Sequence, residues 1–156
     1  MATLPTAADA RDSLTTHAAS KGVEVFLKYG PGLDWDRLQA LLADRTCVRY
    51  PCRVEFRSDG LRPGEFAHAE PCGERPEEGF VIWVHPFFRG TPDDVPWLVL
   101  YHLVTVNYGP FASADDAEMF GAAALGLVRD DYYDRLCVLA DALAAAEGAG
   151  GCRARP

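Results

Sequence analysis

Residues 7–20 (AADARDSLTTHAAS) carry a weak amphipathic stripe and read as a helix, with Gly22 as its stop. In VEVFLKY (23–29), Val23, Val25, Leu27 and Tyr29 alternate with Glu24, Phe26 and Lys28. That spacing is near period two and predicts a strand. GPG (30–32) reads as a turn, and Asp34 caps a helix over WDRLQALLADR, where Trp35, Leu38, Leu41 and Leu42 share one face. CRVEFRS (52–58) alternates cleanly, with Cys52, Val54 and Phe56 against Arg53, Glu55 and Arg57, as a half-buried strand does. SDGLRPGEF (58–66) has turn chemistry, and FAHAE (66–70) reads as a returning strand.

After a polar loop at 71–79, GFVIWVHPFF (79–88) opens with a strong β run that stops at Pro86. Its lack of strict alternation predicts burial on both faces. Asp94 is the expected cap of a helix from Val95 to Asn107, with Pro96 in its first turn. Ser113 caps a further helix over 112–128, whose first turn carries Asp115, Asp116 and Glu118. DDYYDRLCVLADALAAAE (130–147) is a last amphipathic helix, and its apolar face is Tyr132, Leu136, Leu139 and Leu143. This order predicts an α+β fold: a small single-layer sheet covered by helices, with a C-terminal helical pair. One domain is expected over 1–148, and a disordered tail over 149–156.

Composition narrows the partners. A net charge of -8 over 156 residues excludes a nucleic-acid backbone or an anionic membrane, since each needs a basic face. A peptide or protein partner remains. No apolar run approaches the roughly 18 residues of a membrane helix. The opening MATLPTAADARDSLTTHAASKG has no basic stretch followed by an apolar one, so no secretory signal is expected. Five cysteines, an odd number, then fit reduced thiols in the cytoplasm.

His102 is the residue that most invites a chemical reading. On the helix from Val95 it shares a face with Leu98, Val99, Thr105 and Val106, so it should be buried and in need of a polar partner. The plain reading is a core histidine whose proton is held by Asp116 or a backbone carbonyl. The functional one is a proton shuttle or metal ligand in a cleft.

The segment FVIWVHPFFRGTPDDVPWLVLYH resembles the approach to the active helix of minimal zincin metallopeptidases, of the SprT-like and WLM-like kind. The resemblance covers residues 52–128 and implies a strand, a short loop and an apolar helix carrying HExxH. There, two histidines hold zinc and the glutamate works on the metal-bound water. Here the motif reads HLVTV: Leu103 stands where the glutamate belongs and Val106 where the second histidine belongs. Asp116, four residues before Phe120, stands at the position of the third ligand. Without a carboxylate at 103, zinc-water peptide hydrolysis is not expected.

Other chemistry is sparser. Cys47, Cys52, His68 and Cys72 are spaced C-x4-C-x15-H-x3-C, the one pattern that invites zinc; otherwise no cofactor is expected. In a zincin-like layout His68 and His85 would line the same cleft as His102. Phe87 and Tyr101 belong to an aromatic group around the 86–94 loop, and Phe87 with Phe88 is the best candidate for an exposed apolar patch. No nucleophilic triad or phosphate-binding glycine loop is present.

The leading expectation is a non-catalytic, degenerate zincin-like protein that binds a peptide or protein along a cleft or strand edge, in an inhibitor, immunity or adaptor role. The alternative is a small enzyme using His102 with Asp116, and His68 or His85, as a metal or acid–base site. A structural subunit is a third, which an exposed apolar face on the last helix would support.

Overall fold

Thr6 opens the first helix with a reciprocal cap. Its hydroxyl accepts from the Asp9 N–H at 3.1 Å, and its own N–H donates to the Asp9 carboxylate at 2.8 Å. A computed structural model describes residue 4 and residues 6–154, with side chains as far as Gly148. Helix α1 runs without a break from Ala7 to Tyr29.

The expected stop at Gly22 and the expected strand at 23–29 are therefore both corrected. Ala18, Gly22 and Val25 form a buried helical stripe, whereas Val23 and Leu27 face outward and are exposed. The period-two impression came from those two outward residues. Gly22 is where α1 meets another helix, α4 (Ala114–Leu125): a Cβ there would lie 2.6 Å from the Phe120 carbonyl oxygen and 2.7 Å from the Ala123 Cβ. The glycine is retained for close approach, at a propensity cost of about 1 kcal/mol.

Helix α2 (Trp35–Ala43) starts at the Asp34 cap, whose carboxylate accepts from the Arg37 N–H at 2.9 Å, and it buries Leu38, Leu41 and Leu42. Three strands follow: β1 (Cys52–Phe56), β2 (Ala67–Pro71) and β3 (Phe80–Val84). They form one mixed sheet in the order β1-β3-β2, with β1 parallel and β2 antiparallel to β3. Alternation puts Val54, Phe56, Ala67, Ala69, Ile82 and Val84 on the face that packs against the helices. The other face carries Arg53, Glu55, His68, Glu70 and Trp83, and among the described residues the main helix contacts of the sheet are those of α2 and α3 (Val95–Tyr108). Val81 lies on that outer face yet is 4% exposed, at register with Arg53 and Glu70. Its burial explains the missing alternation in β3.

The two sheet edges differ. Phe80 N–H donates to the Pro51 carbonyl and Arg57 N–H to the Val84 carbonyl, so the odd-numbered residues of β1 make the ladder to β3. Cys52 and Val54 then turn their backbone groups outward, and both residues are part-exposed. On β2 the bonds from Cys72 N–H to Gly79 and from His85 N–H to the Phe66 carbonyl put the outward groups on Ala67, Ala69 and Pro71. Ala67 and Ala69 are buried and proline has no N–H, so that edge is closed.

Helix α3 (Val95–Tyr108) is apolar on nearly every side and runs through the core, with Leu98, Val99, Leu100 and Leu103 fully buried. Asp94 does not cap it with its side chain as expected. That carboxylate accepts instead from Arg135 of α5 (Arg129–Ala154) at 2.8 Å. Helix α4 ends three residues earlier than expected, because Gly126 takes the left-handed conformation (φ 70°) that closes its last turn. On α5, Tyr132, Leu136, Leu139 and Leu143 are all buried against the body. The apolar face that a structural subunit would have left open is internal. The helix continues through Ala154 rather than ending near Glu147, and the disordered tail expected over 149–156 falls on residues whose side chains lie outside the described ones. Among the described residues no helix is long and apolar enough to cross a membrane.

Candidate functional site

Helix α3 sets His102 against the β2 side of the sheet. Its ring meets Phe66 edge-on at 6.0 Å and Tyr101 at 5.4 Å between centroids. Nε2 is buried and has no hydrogen-bond partner among the described residues. Burial pulls the imidazole pKa from 6.5 down to about 4, with His68 pushing the same way and Glu65 opposing. At neutral pH the ring is uncharged. The neighbouring positions of the HLVTV segment, Leu103 and Val106, are core residues at 0% and 1% exposure.

Asp116 does not meet His102. Its carboxylate accepts from the Thr15 hydroxyl at 2.6 Å, the Ser113 N–H at 2.9 Å and Arg11 at 3.4 Å, at the start of α4 facing α1. Burial pushes its pKa up, but the bonds from Ser113 and Thr15 and the Arg11 charge outweigh that and hold it below the usual value. Of the two expected holders of the histidine proton, Asp116 or a backbone carbonyl, Asp116 is thus corrected, together with the acid–base pair. Asp116 is a saturated helix cap joining α1 to α4.

The other candidates are dispersed. His68 is exposed on the outer sheet face opposite Trp83. His85 caps the short turn Pro86–Gly90: its Nδ1 accepts from the Phe87 N–H at 3.1 Å, and Nε2 lies 3.9 Å from Glu147 of α5. That turn drives Phe88 into the core and leaves Phe87 outside at 42% exposure, so the expected two-ring patch is one ring. Tyr101 is half-buried, and burial with the nearby Glu118 raises its phenol pKa.

The cysteine pattern is also spread out. Cys47 is buried beside Thr46, and the Cys52 thiol faces the core, where burial pushes its pKa up to about 12. Cys72 is exposed and accepts from Arg53 at 3.7 Å. Among the described residues no three His, Cys, Asp or Glu side chains are grouped to hold a metal ion.

What sequence reasoning passed over is a basic cleft between α1, the 45–49 segment and the end of α3. His17, Lys21, Arg45, Arg49, Asn107 and Tyr108 line a cavity of about 260 Å³. Arg45 and Arg49 lie in RTCVRYPCR, where the cysteines drew the reading toward zinc; the recurrence of arginine every fourth residue was the available signal.

Comparison with known protein families, with curated proteins and with solved structures finds no match to this chain.

Proposed function

We propose that this chain is a non-catalytic, degenerate zincin-like protein that binds an extended peptide or protein segment by adding it as a strand along β1. The observation that carries this reading is the open edge at Cys52 and Val54, whose backbone groups point away from β3 while the β2 edge is closed. Strand addition needs no metal and no general base, and the chain has Leu103 and Val106 at the two positions where an HExxH site would need them. The element order, β3 into a short loop into α3 carrying His102 and then α4, supports the zincin-like description.

The test is a peptide-display selection on the intact chain, followed by two variants of one position. Val54→Pro removes the outward N–H without touching the ladder to β3, and Val54→Ala makes a similar side-chain loss while keeping the N–H. Selected peptides should bind Val54→Ala and fail on Val54→Pro, with both variants folded by circular dichroism. Equal binding to both overturns the reading.

A further inference from the structure

The basic cleft stands apart from the β1 edge and from His102. In a chain of net charge -8 it collects Lys21, Arg45, Arg49 and His17 around one concave space. Lys21 is shared: its ammonium donates to Glu24 at 2.8 Å and to the Thr46 carbonyl at 2.9 Å. Arg45 donates only to the Leu42 carbonyl, at 2.8 Å, and has no carboxylate partner among the described residues. Arg49 likewise has none, and its guanidinium sits 5.3 Å from the Tyr50 ring centre. Of the other nearby carboxylates, Asp44 is held by Lys28, Tyr29 and Thr46, and Asp116 by Arg11, Thr15 and Ser113. Two guanidinium groups are therefore left uncompensated at the rim.

The segment that carries them is fixed in place. Asn107 of α3 accepts from the Arg49 N–H at 2.8 Å and donates to the Cys47 carbonyl at 2.9 Å. These two hydrogen bonds pin residues 47–49 to the core helix, so Arg49 projects from a fixed backbone. Tyr108, which meets His17 edge-on at 5.4 Å, keeps its phenol protonated, because burial and the charges of Asp116 and Glu24 push its pKa up to about 12. A protonated phenol is a hydrogen-bond donor, the right kind of group to face an anion.

A second cavity of about 220 Å³ has Arg49, Asn107 and Tyr108 in common with the first among its lining residues. Beyond them it is lined by Tyr50, Phe80 and Phe111, so it is aromatic where the first is cationic. We infer that the two together bind a small phosphate monoester with a flat ring body, the phosphate against Arg45, Arg49 and Lys21 and the ring against Tyr50 and Phe111. Guanidinium groups pair with phosphate oxygens through two parallel N–H donors, and aromatic walls supply area for the ring.

Isothermal titration of the full chain with inorganic phosphate, phenyl phosphate and phenol separates the parts. Phenyl phosphate should bind at least about tenfold tighter than either fragment, and tighter at low salt than at high. Arg49→Met and Lys21→Met keep their apolar stems and should each weaken it by about tenfold or more. Arg53→Met, which removes the same charge from the outer sheet face, should change it less than about twofold. Absence of phenyl phosphate binding up to about 10 mM overturns the inference, as does equal affinity in Arg49→Met and the parent chain. Inorganic phosphate binding as tightly as phenyl phosphate overturns the two-cavity ligand.

Discussion

Trp35 of α2 stacks on Phe56 of β1, with ring centres 5.7 Å apart and planes 24° from parallel. Arg89 covers the same phenyl ring and donates to the Phe56 carbonyl at 3.2 Å. One end of the β1 edge is therefore occupied by the protein's own side chains, and the free strip is the backbone of Cys52 and Val54. A strip of two outward residues docks a short segment, which is the economy expected of an edge that must not pair with copies of itself. Replacing Arg89 by Met should uncover the Phe56 carbonyl and lengthen the strip. A selected peptide should then bind more tightly, by about two- to fivefold for one added backbone bond, as titration of the variant would show.

His102 makes a pH-dependent claim. Its folded pKa, about 4, lies below its ordinary 6.5. Between those values the unfolded chain takes a proton that the folded chain refuses, so stability falls as pH drops from 6.5 toward 4 and levels below that. The full loss is about 3 kcal/mol for a shift of this size. His102→Leu removes both this penalty and the unpartnered Nε2. The variant should gain about 1 kcal/mol at pH 7 and about 3–4 kcal/mol over the parent near pH 4.5, read from urea midpoints. A variant less stable than the parent at both pH values would mean that Nε2 has a partner in solution.

Asp116 makes a separate structural claim. With its carboxylate shared among Ser113, Thr15 and Arg11, Asp116→Ala should cost about 1–3 kcal/mol, because it removes a cap and the hydrogen bonds that tie α4 to Thr15 and Arg11 of α1. Peptide affinity should be unchanged, as measured at a temperature where both chains are folded.

At Gly22 the substitution to Ala should destabilise by about 1–3 kcal/mol, although alanine is the better helix former. The added methyl has to part α1 from Phe120 and Ala123. A thermal melt reads the sign directly: a higher midpoint would show that the two helices are not in close contact.

These residues also show what could be read from the chain. The segments with strong local signals were legible: the Asp34 and Ser113 caps, the clean alternation of β1 and the apolar run of α3. Gly22 was misread because a glycine that ends a helix and a glycine that lets two helices touch look alike until the second helix is placed. Val23 and Leu27 misled for a related reason: exposed apolar residues on a helix can mimic strand alternation, and only burial distinguishes them. For His102, the helix neighbours implied burial and the structure shows it in part, with Nε2 enclosed in a part-exposed residue, but its partner was not legible, since Asp116 turns to Thr15, about a hundred residues away in sequence. The basic cleft depends on the 45–49 loop folding back onto His17 and Lys21 of α1, a long-range contact that no local period encodes.

The most direct measurement is amide hydrogen exchange at Cys52 and Val54, by NMR, with and without a selected peptide. Strand addition along β1 predicts that at least one of these outward amides slows by about tenfold or more on binding, while the exchange of Ala67 and Ala69 is unchanged. A peptide that binds and leaves both β1 amides exchanging as before would contradict the account, as would a selection that yields no peptide.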